Sequence, residues 1–109
     1  MNMQELTDKS TEAAELLALL ANAHRLRILC ALLDGERSVS SLEDVVDLSQ
    51  SALSQHLARL REAGIVKTRR EAQSIYYSIA DERAGRILDV LADIFCKPAT
   101  SRPKGRRPT

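Results

Sequence analysis

The 109-residue sequence has no tryptophan, three aromatic side chains in all, four glycines and two cysteines. Few aromatics and few glycines argue against sandwiches, barrels and dinucleotide folds, and point to a helical domain rich in Leu and Ala. Two cysteines cannot make a disulfide framework, and in a reducing compartment they stand as free thiols, structural or reactive. No stretch approaches the roughly 18 apolar residues of a membrane span, and no charged start followed by an apolar run marks a signal peptide. No membrane partner and a cytoplasmic address are therefore expected. An excess of one charge is also lacking, since 16 basic and 15 acidic side chains leave a net +1. The distribution is more telling: residues 1–58 hold 4 Lys/Arg and 9 Asp/Glu, and residues 59–109 hold 12 and 6. The second half is the candidate surface for an anionic ligand.

What is present is a series of amphipathic segments. Ala13, Leu16, Leu17 and Leu20 share one helical face over 10–21, and Leu26, Leu29, Cys30 and Leu33 repeat the spacing over 23–33 until Asp34 and Gly35 end it. This reading puts Cys30 on an apolar face. Ser40 or Ser41 can cap a short helix to Val46, with Leu42, Val45 and Val46 inward. Ser49 precedes a helix over 50–63 whose stripe is Leu53, Leu57 and Leu60, with Gly64 placed to stop it. The period then changes to two: 65–69 and 75–79 are β-rich runs around a polar tip at 70–74, a hairpin. Asp81 can cap a last helix whose apolar face is Ala84, Ile87, Leu88, Leu91, Ala92 and Phe95. The expected organisation is a flexible segment at 1–9, one domain over 10–96, and a disordered basic tail at 97–109 with three Pro, five Lys/Arg and no acid.

A short helix, a tight link and a longer capped helix follow helix-turn-helix grammar, and the hairpin after them makes a wing. The expected fold is mainly α: a winged helix-turn-helix of about five helices plus a two-stranded β-hairpin. The polar side of the 50–63 helix offers Gln50, Ser51, Ser54, Gln55, His56 and Arg59, with Ser49 at its start. Amides suit adenine edges, and hydroxyls suit phosphate or base, so these residues fit a major groove of double-stranded DNA. Lys67, Arg69, Arg70 and Gln73 on the hairpin can reach phosphate or the neighbouring minor groove. A merely solvated helix face is the plain alternative. The short preceding helix, the capping serine, the Gly stop and the basic hairpin together favour DNA.

The segment 49–66, SQSALSQHLARLREAGIV, resembles the recognition segment of the ArsR/SmtB family of bacterial repressors, and 21–29, ANAHRLRIL, resembles that family's preceding helix signature. The likeness runs from about residue 12 to 95. It implies a homodimeric winged-helix repressor, joined through its first and last helices, that binds an inverted-repeat operator and is released by an inducer.

Many members of that family sense metal, and neither of two family ligand sets fits here. The stretch 44–48 has no cysteine where one set needs a Cys-x-Cys pair, and 83–96 has no histidine where the other needs one. His24 and His56, 32 positions apart in different expected helices, are not expected to converge, and a closed site wants three or four soft ligands. No metal and no cofactor are expected. Cys30 and Cys96 resemble in placement and separation the sensor pair of the sulfide-responsive BigR/SqrR subgroup, in which reactive sulfur species, as inducer, bridge the thiols and DNA binding is lost. An HlyU-like, oxidant-sensing branch uses a similar pair. A pair held slightly too far apart for a disulfide, whose Cα atoms must lie within about 7 Å, would favour a bridge lengthened by sulfur atoms. Cys30 alone, on a Leu-rich helical face, reads as a small core hydrophobe. A disulfide-forming oxidant, a thiophilic metal, or a constitutive DNA binder with inert cysteines stay open. A thiol or sulfur-transfer enzyme lacks a Cys-x-x-Cys motif and a βαβ unit to hold one, so no enzyme is expected.

Overall fold

The computed structural model describes residues 2–96. The tail expected at 97–109 lies outside the described residues. Nine elements follow in order: α1 (Met3–Asp8), α2 (Ser10–Leu20), α3 (Ala23–Leu32), β1 (Arg37–Ser38), α4 (Val39–Val45), α5 (Gln50–Glu62), β2 (Val66–Glu71), β3 (Ser74–Ile79) and α6 (Glu82–Phe95). Residues 1–9, expected as a flexible segment, contain the helix α1. Asn2 caps it by accepting from the backbone N–H groups of Gln4 and Glu5, and the Ser10 hydroxyl donates back to the Leu6 and Thr7 carbonyls. The chain therefore passes into α2 with little interruption. None of the residues of α1 is buried.

Side-chain caps start most of the helices. Asn22 accepts from the N–H groups of His24 and Arg25, Ser38 from Ser41, Ser49 from Ala52, and Asp81 from Arg83 and Ala84. Ser38 thus caps α4, in place of the expected Ser40 or Ser41, and the helix begins two or three residues early. The end of α5 is a Schellman turn: the Ile65 N–H reaches the Leu60 carbonyl, the Gly64 N–H reaches Arg61, and Gly64 takes φ 79°. That conformation directs Ile65 and Val66 into the core, where both are buried.

One core unites all the helices but α1. Leu16 and Leu20 of α2, Ile28, Leu29 and Leu32 of α3, Leu42 and Val46, Leu53, Leu57 and Leu60 of α5, and Ala84 and Leu88 of α6 close around Ile65 and Val66. Several residues expected inward turn out. Val45 is 50% exposed, Leu17 51% and Phe95 77%. Cys30 is exposed as well. The reason is visible in α3: Leu26, Ile28, Leu29, Ala31, Leu32 and Leu33 cover more than one face, so spacing alone leaves two candidate stripes. The core takes Ile28, Leu29 and Leu32, which rotates Cys30 outward.

The sheet has three strands, in the order β1-β3-β2, all antiparallel, where two were expected. β1 pairs Arg37 with Tyr77 and Ser38 with Tyr76. Arg37 fastens this strand by donating from Nε to the Ala31 carbonyl at 2.8 Å and from Nη1 to Ser41 Oγ at 2.8 Å. β2 and β3 are longer than expected: Glu71 pairs with Ser74, so the turn is only Ala72 and Gln73. With α4 and α5 set before this hairpin, the architecture is a winged helix-turn-helix.

Candidate nucleic-acid interface and thiol pair

α5 presents two faces. Leu53, Leu57 and Leu60 are buried, which turns Gln50, Ser51, Ser54, Gln55 and Arg59 to solvent as the spacing predicts. Ser49 is exposed, but its hydroxyl accepts from the Ala52 N–H at 3.1 Å, so its first task is the helix start. His56 departs from the expected reading face. It is half-buried on the flank towards α3, where its ring lies 5.8 Å from that of His24 with an interplanar angle of 37°. The two histidines, expected apart, therefore meet. Among the described residues no three His, Cys, Asp or Glu side chains gather as a metal ion's ligand set would require.

The wing divides its basic residues into two kinds. Lys67, Arg70 and Gln73 are exposed, and among the described residues neither cation makes an ion pair. Arg69, expected to reach phosphate with them, is instead engaged within the protein. Its Nε donates to both Glu36 carboxylate oxygens at 3.2 Å, its Nη1 to Glu71 at 2.9 Å, and its guanidinium lies 4.8 Å from the centre of the Tyr76 ring. The hydrogen bond from Arg69 holds the Glu36 carboxyl below the usual carboxylate range, with Lys67 adding to the effect. Two carboxylates on one cation leave this cluster with a formal charge of −1. Sequence reading missed Glu36 and Tyr76 because they become neighbours of Arg69 only through the β1-β3-β2 pairing.

The thiols sit at two helix ends. Cys30 is in the last turn of α3, where its carbonyl accepts from the Leu33 N–H, and Cys96 ends α6, its N–H donating to Ala92 at 2.9 Å. Both reach solvent. Enough protein flanks Cys30 that burial is the main influence pushing its thiol up, and negative charge on Cys96 pushes the same way. The two sulfurs thus lie within electrostatic range, although 66 positions separate them. Leu17 on α2 and Val90, Ile94 and Phe95 on α6 are exposed apolar side chains, and an open groove of about 430 Å³ runs along α6 between Arg83, Arg86, Ile87, Val90 and Leu91.

Residues 22–68 match the family model described as bacterial regulatory protein, arsR family. The chain is 50% identical to the biofilm growth-associated repressor of Agrobacterium fabrum over 90 residues, 83% of this chain and 77% of that protein. It is 46% identical to the transcriptional activator HlyU of Vibrio cholerae over 97 residues, 89% of this chain and 90% of the relative. The structure of reduced HlyU from that organism superposes with a TM-score of 0.81, covering 86% of this chain and all but 1% of the other. The crystal structure of the repressor BigR from Xylella fastidiosa gives a TM-score of 0.84 at 38% identity, covering 89% and 99%.

Proposed function

The chain belongs to the ArsR family of bacterial transcriptional regulators, and from that premise we propose that it is a homodimeric repressor whose DNA binding is switched off when reactive sulfur species bridge Cys30 and Cys96. That it is a DNA-binding regulator rather than an enzyme comes with the family. One observation carries the finer reading: two solvent-reached thiols, on different helices, sit close enough for the charge of one to act on the other. The resemblance of the pair to that of the BigR/SqrR subgroup supports it.

The chemistry balances with a persulfide, RSSH, as sole reagent. Each thiolate takes the outer sulfur of one RSSH and releases RSH, leaving two protein persulfides. One persulfide anion then attacks the inner sulfur of the other and expels HS⁻. Two RSSH are consumed, two RSH and one H₂S leave, and a trisulfide joins the cysteines. The bridge ties α3, next to the reading unit, to the end of α6. α6 and α2 carry the exposed Leu17, Val90, Ile94 and Phe95, an apolar set suited to a dimer interface. In the active dimer the two α5 helices would stand about one helical turn, roughly 34 to 36 Å, apart along an inverted repeat.

The test is a DNA titration before and after persulfide treatment, with mass spectrometry of the same samples. The expected product gains one sulfur and loses two hydrogens, about +30 Da, with operator affinity lowered about tenfold, equivalent to about 1.4 kcal/mol, and restored by dithiothreitol. Cys30→Ser and Cys96→Ser should bind normally and ignore the donor. A full response from either single variant, or inactivation without a bridged species, defeats the reading. A second reading, a short disulfide formed by an oxidant, is favoured by the likeness to a relative described in its reduced form. It predicts loss of two hydrogens, about −2 Da, with no sulfur gained.

A further inference from the structure

The contact between His24 and His56 is not used by either surface described above. We propose that His24, Arg27 and His56 form a site for a DNA backbone phosphate on the flank of α5, and that duplex binding there draws a proton from solvent onto His56. This inference rests on the reading of α5 as the helix that enters the groove.

Geometry carries the argument. A helix is about 10 to 12 Å across with its side chains, and the major groove is about 12 Å wide, so residues on the flank of an inserted helix face the groove walls, where the phosphates are. His56 is such a flank residue: one turn holds Gln55 and Arg59 outward while His56 turns towards α3. What it meets is the first turn of α3, in which the Asn22 side chain already occupies the N–H groups of His24 and Arg25. With those two N–H groups occupied, the charged anion donors at this place are side chains. Arg27 Nη1 lies 3.2 Å from His24 Nδ1, and because a guanidinium only donates, Nδ1 accepts and the ring proton sits on Nε2. Among the described residues Arg27 makes no ion pair. Among the described residues none of the three is ion-paired to a carboxylate, and a guanidinium with two imidazoles is a donor set that a phosphodiester completes.

Electrostatics then gives the sign of a proton linkage. The groups acting on His56 come from α3: burial against that helix lowers its pKa most, and Arg25 and then His24 lower it further. Arg25 itself is anchored, donating to the Leu19 and Ala18 carbonyls at 2.6 and 3.1 Å. The free protein thus keeps His56 neutral near pH 7, and a phosphate arriving beside it reverses the local preference. Acidification should act in opposite directions on two properties. Folding loses stability as pH falls through the window below about 6.5, because the unfolded chain takes the proton more readily. Duplex affinity rises through the same window.

The test uses the full chain and a duplex of about 30 base pairs of arbitrary sequence, because a phosphate contact is independent of sequence. The chain has two histidines, so two imidazole Hε1 signals report the site directly by NMR. The His56 midpoint should rise by about one pH unit on saturation with duplex, and anisotropy titrations should show affinity rising about tenfold between about pH 7.5 and 5.5. His56→Gln and Arg27→Gln should reduce that rise to less than about threefold while still binding duplex at the higher pH. An unmoved His56 midpoint in a bound complex, or an undiminished pH slope in both variants, overturns the inference and leaves the reading of α5 standing. An equal midpoint shift with inorganic phosphate at matched ionic strength overturns it too, marking a site for free anions. Failure of the wild-type chain to bind any duplex at low salt defeats the inference together with the reading it rests on.

Discussion

α5 and the wing carry similar polar and basic side chains and handle them differently. On α5 the exposed Gln50, Ser51, Ser54, Gln55 and Arg59 stand on a helix whose other face is fully committed to the core. On the wing, Arg69 is committed to Glu36, Glu71 and Tyr76, and only Lys67, Arg70 and Gln73 remain for a ligand. A helix separates support from reading by its period, so a residue's role follows from its position. In a three-stranded sheet the neighbours come from distant sequence, and a basic residue's role depends on who arrives beside it.

The supporting face of α5 carries the largest expected effect. Leu57 is 2% exposed at the centre of the core, and Leu57→Ala should cost about 2 to 5 kcal/mol of folding stability, read by thermal or urea unfolding. Gln55→Ala, two positions earlier on the outer face, should leave the unfolding midpoint within about 0.5 kcal/mol and instead reduce operator discrimination by about 1 to 3 kcal/mol. Comparable stability losses in both variants would mean that the two faces are not separate.

On the wing, exchanging the arginines separates the two kinds of basic residue. Arg70→Gln should weaken operator and random duplex alike and lower the salt slope by about one unit. Arg69→Gln should have a smaller effect, because that cation already has two carboxylate partners. Glu36→Gln should release part of Arg69 and raise affinity for random duplex by about two- to fivefold, again visible in the salt slope. If Arg69→Gln costs as much as Arg70→Gln, Arg69 changes partners on DNA and the division of the wing fails.

The same contrast explains what could be read from the sequence. α5 was legible because its signals are local: Ser49 before it, three leucines along it, Gly64 after it. The exposed serines and glutamines followed from that period alone. β1 was not legible, since Arg37 and Ser38 have no pattern of their own and become a strand only by pairing with Tyr77 and Tyr76. The exposure of Cys30 was hidden by an α3 that is apolar around more than half its circumference. The approach of His24 to His56 depends on how α3 crosses α5, which spacing within either helix does not encode.

The smallest effect belongs to the wing's tip. Two-residue hairpin loops need positive φ at one or both central positions, which is why glycine is favoured there. Here Ala72 carries it, with φ 57°, a region that disfavours an L side chain by about 1 kcal/mol or somewhat more. Ala72→Gly removes that strain but enlarges the freedom of the unfolded chain, an opposing effect of about 0.4 to 1 kcal/mol. The net gain should therefore be a few tenths of a kcal/mol, near the limit of a denaturation experiment. Ala72→Val supplies the decisive contrast: a β-branched side chain resists this conformation more strongly than alanine, so it should lose about 1 kcal/mol or more. Tip backbone strain acts on folding, whereas Gln73 and Arg70 are the proposed DNA contacts, so neither substitution should alter the salt slope of duplex binding. A Val variant as stable as the wild type would show that the turn relaxes to another register, and the Glu71 to Ser74 pairing that sets the wing's length would have to be revised.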